Sequence, residues 1–201
     1  MASRRAKVLD DMMFAKLMVL ASKGENSLRD QVMILLSYKA GLRASEIAGL
    51  NWKDVTDAEG AIRADALFVP GNIAKYGRER TVPMNPHLYT ALLSLRMERP
   101  DDEGVIYGIG GGGPRSSARG HKRMSADAVT VWFRRIYAAN SFEGCSSHSG
   151  RRTFITRLAR KAGQHDCSIK DVQLLAGHAR LDTTEKYIDP SPNVMRLVAA
   201  I

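Results

Sequence analysis

The sequence predicts a mainly α-helical α+β domain that carries a small antiparallel β-sheet. Three observations predict it. Apolar residues recur at helical spacing in several segments, the stretch from Ala61 to Pro83 drops that period for two short extended runs, and glycines stand where helices and turns would end. A chain of 201 residues, 44% hydrophobic and 25% charged, is long enough for one well-filled core or at most two small ones. One domain is expected.

Val32, Leu35, Leu36 and Ala40 mark a helix that ends at Gly41. A second helix is expected from Ser45, whose hydroxyl can cap it, and this puts Arg43 in a tight turn between the two. Ala66-Leu67-Phe68-Val69 and Arg80-Thr81-Val82 are the two strands, with Gly71-Asn72 and Tyr76-Gly77 as turn signals, so Lys75 falls near a turn. Pro86 to Arg96 reads as helix, and Pro100 to Gly120 as a loop holding the flexible run Gly110 to Gly113. Val129, Trp132, Phe133, Ile136 and Tyr137 form a clear amphipathic stripe. Phe154, Ile155, Leu158, Ala159 and Ala162 form another, placing His148 just before a helix and Arg151 in its first turn. A short helix from Ile169 to Ala176 ends at Gly177, and a further helix is expected over Thr183 to Ile188.

Composition narrows the function classes. No apolar run approaches the roughly 20 residues that span a bilayer, and the basic start lacks a signal-peptide core, so a cytoplasmic protein is expected. Two cysteines, Cys145 and Cys167, make neither a disulfide framework nor a zinc site. Lys and Arg total 30 against 21 acids, a net charge of +9 that favours a polyanionic partner. No acid occurs from Gly144 to His165, where Arg151, Arg152, Arg157, Arg160 and Lys161 fall.

Five segments then follow one another in a telling order. They are Gly41-Leu42-Arg43-Ala44-Ser45-Glu46-Ile47; Lys75-Tyr76-Gly77-Arg78-Glu79-Arg80-Thr81-Val82-Pro83; His148-Ser149-Gly150-Arg151; Leu174-Leu175-Ala176-Gly177-His178; and Thr183-Thr184-Glu185-Lys186-Tyr187. Each alone is weak, but in this order they resemble the catalytic domain of the tyrosine recombinases of the phage-integrase type, over roughly Val8 to Pro190. The resemblance implies the integrase catalytic-domain fold, a DNA strand-cleaving and rejoining activity with no cofactor and no metal, and six catalytic positions: Arg43, Lys75, His148, Arg151, His178 and Tyr187.

The chemistry explains why these residue types would gather. Attack on a phosphodiester passes through a five-coordinate state whose added negative charge must be met by preorganised donors, and arginine is the side chain best shaped for it, permanently charged and able to grip two oxygens. By resemblance Arg43 and Arg151 clamp the phosphate, His148 and His178 add hydrogen bonds, His148 takes the tyrosine proton, Lys75 protonates the departing 5′ oxygen, and Tyr187 forms a 3′-phosphotyrosine that stores the bond energy. Glu46 supports Arg43 from behind. Arg78, Arg80, Arg115, Lys122, Arg123 and Arg152 are candidate DNA contacts.

Taken singly, each residue has an ordinary structural reading: Arg43 with Glu46 as an ion pair, His178 as a helix cap, Tyr187 as core, Lys75 as a solvated turn. These readings do not explain the shared order. Ser149-Gly150 departs from the family, which has an apolar residue before this arginine, and is expected to loosen the packing beneath Arg151. The Gly163 to Ser168 segment is expected to be a surface loop. The family's amino-terminal helical domain has no room before Val8, so residues 1–201 are expected to hold the catalytic domain alone. Residues 193–201 carry a small apolar face, which either folds back in cis or docks on an adjacent protomer. Duplex DNA is the expected partner, with a homo-tetramer on DNA, a monomer in isolation, accessory DNA-bending proteins, no membrane and a cytoplasmic, nucleoid-associated location. The alternatives are a type IB topoisomerase-like activity and a DNA-binding regulator that keeps the fold without turnover.

Overall fold

A computed structural model describes residues 6–98, 100, 102–108 and 122–188. Arg115, the glycine run and the 193–201 tail lie outside them. The helix α2 (Ser27–Lys39) is the centre of the fold: Val32 to Tyr38 are all buried, the pattern of a helix surrounded by others. Around it pack α1 (Asp11–Ala21), α3 (Ala44–Gly49), α4 (Pro86–Glu98) and α6 (Ser149–Lys161), and α5 (Ala126–Ala139) packs on α3. The apolar periodicity did not announce α1. Its apolar residues spread around the axis and only Leu17 and Ala21 are buried, but Asp10 caps it by accepting from the Met13 N–H at 2.7 Å.

The expected sheet is found. Strands β1 (Ala66–Val69) and β2 (Arg80–Pro83) pair antiparallel, with Leu67 opposite Val82 and Val69 opposite Arg80. Because side chains alternate along a strand, Arg80 and Val82 point inward while Thr81 and Pro83 face solvent. Between the strands, Lys75–Gly77 forms a single 3-10 turn in which Tyr76 is left-handed (φ 61°).

The chain turns sharply at Gly41 (φ 66°), where a Cβ would overlap the Phe154 ring. The next helix starts at Ala44, one residue earlier than expected, and Ser45 does not cap it: the Glu46 carboxylate accepts the Arg43 N–H at 2.9 Å instead. Helix α7 (Ile169–Ala176) has the expected bounds and ends at Gly177 (φ 60°). The last helix among the described residues, α8 (Leu181–Glu185), begins before Thr183 and stops short of Tyr187, which sits in the turn that follows. The expected looseness at Ser149-Gly150 is not there. Ser149 is buried, and a Cβ on Gly150 would overlap Ser37 Oγ and stand 2.9 Å from Ser37 Cβ, so the small residue lets α6 close tightly on α2. The segment after α6 is an exposed 3-10 turn, Ala162–His165, as the sequence suggested. Among the described residues no helix is long and apolar enough to cross a membrane.

Apolar packing divides unequally. One large cluster joins α1 to α5 and the sheet, while a small one of Ile155, Val172 and Ala176 holds α7 and Tyr187 against α6.

Candidate active site

The site forms where the carboxyl ends of α2 and α7 meet the amino ends of α3 and α6. Glu46 anchors it. Its carboxylate is fully buried and accepts a two-pronged ion pair from Arg80, Nη1 to Oε1 at 3.0 Å and Nη2 to Oε2 at 2.7 Å, together with the Arg43 guanidinium at 2.7 Å. Burial alone would raise its pKa. The Arg80 fork, with the Arg43 N–H and guanidinium, outweighs burial and holds it down to about 2. The Glu46 contact fixes the direction of Arg43, whose side chain remains 16% exposed.

Arg80 therefore does not lie on the surface, where a DNA contact was expected. It is 8% exposed, with all three nitrogens bonded, Nε donating to the Leu175 carbonyl at 3.0 Å. The strand alternation that buries Val82 was the available signal.

Arg151 is a bolt. Its Nη1 donates to the Gly41 carbonyl just past α2 at 2.6 Å and its Nη2 to the Ala176 carbonyl ending α7 at 2.5 Å. Helix ends leave such carbonyls unpartnered and carry partial negative charge, so a cation is well placed there. Arg151 is only 4% exposed. Burial, the Arg43 and Arg80 cations work against its charge, while Glu46 and the Tyr187 side chain favour it; the intrinsic basicity of guanidinium keeps it protonated. The sequence treated Arg43 and Arg151 as equivalent, and the structure separates them into one partly open and one enclosed.

Gly177 turns the chain so that His178 follows directly on the bolted end of α7. Gln173 Nε2 donates to the His178 carbonyl at 3.0 Å, and the buried Thr184 hydroxyl shares a 2.9 Å hydrogen bond with His178 Nδ1. Both partners were missed in the sequence, although Thr184 stood inside a quoted motif. The imidazole stacks on Tyr187, ring centroids 5.6 Å apart and planes 24° off parallel. Burial and the cations of Arg151, Arg43 and Arg80 depress the His178 pKa to about 4. His148 precedes α6 at the surface. Partial burial of the ring, then the charges of Arg151, Arg43 and Lys75, lowers its pKa too. Lys75 is exposed, its Nζ 4.9 Å from the centroid of the Tyr76 ring.

Of the six residues named from motifs, His178 and Tyr187 stack on each other, Arg43 and Arg151 are fixed at the ends of neighbouring helices, and His148 feels the charges of Arg151, Arg43 and Lys75. The proposed DNA contacts divide. Arg78 and Lys122 are exposed. Arg123, at the surface, donates to the Gly49 carbonyl at 3.2 Å and to the Asn51 side chain, clasping the end of α3. Arg152 donates to the Ala6 carbonyl at 3.0 Å and holds that residue to α6. Among the described residues no three His, Cys, Asp or Glu side chains gather as metal ligands would.

Comparison with known proteins identifies the family. The chain is 27% identical over 164 residues to tyrosine recombinase XerA of Pyrococcus furiosus, covering 81% of this chain and 51% of that protein. It is 32% identical over 169 residues to XerC of Yersinia pestis, covering 80% and 48%. It spans about half the length of the curated relatives it matches. Among solved structures, the Tn1549 transposon integrase in complex with circular intermediate DNA superposes with a TM-score of 0.75 at 18% identity, over 99% of this chain and 67% of that one. The pre-cleavage complex of XerH recombinase with difH gives 0.69 at 20% identity, over 100% and 55%. The family profile described as the phage integrase family matches residues 7–193, nearly the whole chain. That match runs across both halves of the chain, which belongs to the phage integrase family.

Proposed function

We propose that this chain is the catalytic part of a site-specific DNA recombinase whose nucleophile is Tyr187. The observation that carries the reading is the position of the Tyr187 ring, stacked on His178 and within the electrostatic reach of the enclosed Arg151. In the proposed reaction Tyr187 Oη attacks the scissile phosphorus. The bond from phosphorus to Oη forms, the bond from phosphorus to the 5′ oxygen breaks, and a 3′-phosphotyrosine remains. Arg43 and Arg151 stabilise the added negative charge. His148, with its pKa lowered, is neutral near pH 7 and accepts the phenol proton. Lys75 gives a proton to the leaving 5′ oxygen, and a 5′ hydroxyl then reverses the attack to rejoin a strand. These steps use no bound cofactor.

Duplex DNA as substrate is supported by the net charge of +9 and by the DNA in the complexes of the Tn1549 integrase and XerH. Assembly as a tetramer on DNA follows from the family reading and is part of the proposal. The test is incubation with a nicked suicide duplex followed by SDS electrophoresis. The native chain is expected to form a covalent adduct and Tyr187→Phe none, while both bind the duplex alike. No adduct from the native chain would point to a DNA-binding protein without turnover, and an adduct from the Phe variant would reassign the nucleophile.

A further inference from the structure

We propose that Arg80 is a positioning residue that ties the Lys75 hairpin, Arg43 and His178 into one unit, an inference that rests on the recombinase reading. Arg80 follows Lys75 on the same hairpin and is turned inward by its strand register. Its two terminal nitrogens take both oxygens of Glu46, which in turn holds the Arg43 N–H and guanidinium. Its Nε takes the Leu175 carbonyl, three residues before His178. Gly177 completes the fit. A Cβ there would stand 3.1 Å from Arg80 Nη1 and 3.2 Å from its Cδ, so the turn into His178 lies directly against the guanidinium.

An ion pair serving stability alone would need Glu46 and nothing more, and burying such a pair brings little net stability over apolar packing. The third bond, to α7, gives the pair a geometric task. Arg80 and Arg151 grip the consecutive carbonyls of Leu175 and Ala176, so the end of α7 is held at two adjacent points and the histidine after it cannot drift. Through these contacts, movement of the Lys75 hairpin is transmitted to the residue that orients Arg43 and to the turn that carries His178.

The test compares Arg80→Met, Arg80→Lys and Glu46→Gln with the native chain. Equilibrium binding to the nicked duplex, single-turnover cleavage and the NMR titration of His178 are measured for each. Displacement of groups by about 1 Å costs on the order of 100-fold in rate. Arg80→Met is therefore expected to cut cleavage by about that factor with binding preserved, and the double variant with Glu46→Gln to be no slower than the slower single variant. The groups facing His178 are Arg43, Arg80, Arg151 and Tyr187, and removing the Arg80 cation is expected to raise the His178 pKa above its native value. Arg80→Lys keeps the charge but lacks the planar fork, so it should restore the titration and little of the rate. If Arg80→Met does not fold, Arg80→Lys still decides, with slow cleavage and intact binding expected. Native cleavage in either Arg80 variant, parallel loss of binding and cleavage, or a multiplicative double variant overturns the proposal. If the native chain forms no adduct, the recombinase reading fails. The His178 titration then judges Arg80 by itself: a shift in Arg80→Met supports its hold on that turn, and an unchanged value overturns it.

Discussion

The two apolar clusters serve the site in different ways. The large one encloses α2, α3 and the sheet, and from it come Arg43, Glu46 and Arg80, fixed in depth by a buried ion-pair lattice. The small one, Ile155, Val172 and Ala176, carries His178 and Tyr187 on two short helices and a turn. Charge stabilisation needs groups whose positions are settled before the reaction, since reorientation would cost what the charges supply. In the proposed reaction a nucleophile that is reached by DNA and released again can ride on a part that opens more readily, and segments with few buried contacts are the ones that open locally. The two regions are joined by Arg80, between Glu46 and Leu175, and by Arg151, whose side chain bonds one carbonyl from each.

Replacing Arg151 should have the largest effect. Arg151→Ala is expected to slow cleavage at least ~100-fold, the scale of losing one charge-stabilising donor, and also to cost roughly 1–3 kcal/mol of stability because two buried carbonyls lose their partners. Arg43→Ala should match it in rate but melt much closer to the native chain, since Glu46 keeps its Arg80 fork. Equal melting shifts in the two variants would show that Arg151 does not join the regions.

Lys75 extends the contrast to an exposed position. Lys75→Ala should lose about 100-fold in cleavage, within the usual range for a positioned acid, with no change in melting. A duplex with sulfur in the 5′ bridging position, whose leaving group needs no proton, should recover the rate. A rate that stays low with sulfur would assign Lys75 to binding instead.

Packing in the small cluster can be probed alone. Ile155→Ala should cost about 2–5 kcal/mol of local stability, as for other buried large-to-small changes. Hydrogen exchange should then quicken in α7 and α8 and stay slow in α2. Equal acceleration in α2 would mean the clusters open together.

Acid tests the same two regions without a substitution. Glu46, held at about 2 against an ordinary 4.5, contributes stability that is present above 4.5 and lost as pH falls toward 2. His178, depressed from 6.5 to about 4, stays neutral in the folded chain while the unfolded chain takes up the proton, so its loss of stability runs from 6.5 down to 4. The melting temperature should fall in two overlapping steps as acid is added. Glu46→Gln is expected to remove only the lower one, and a native curve flat between pH 6.5 and 4 would sink the histidine part.

The sequence by itself determined what is local or ordered along the chain. Helical spacing marked α2, α5 and α6, loss of that period marked the β1–β2 hairpin, Gly41 and Gly177 marked two helix ends, and the order of five motifs named six candidate residues. These signals come from backbone sterics and from the alternation of apolar and polar residues, which need no distant partner. Tertiary structure decided the rest. Arg80 meets Glu46 across 34 positions and Leu175 across 95, and no local pattern encodes such a pairing. The closeness of Gly150 to Ser37, the enclosure of Arg151 against the opening of Arg43, and the Thr184 bond to His178 likewise exist only once helices remote in sequence have packed. Helix α1 belongs to the same group, because its blurred apolar face becomes readable as a helix only against the α2 surface it covers.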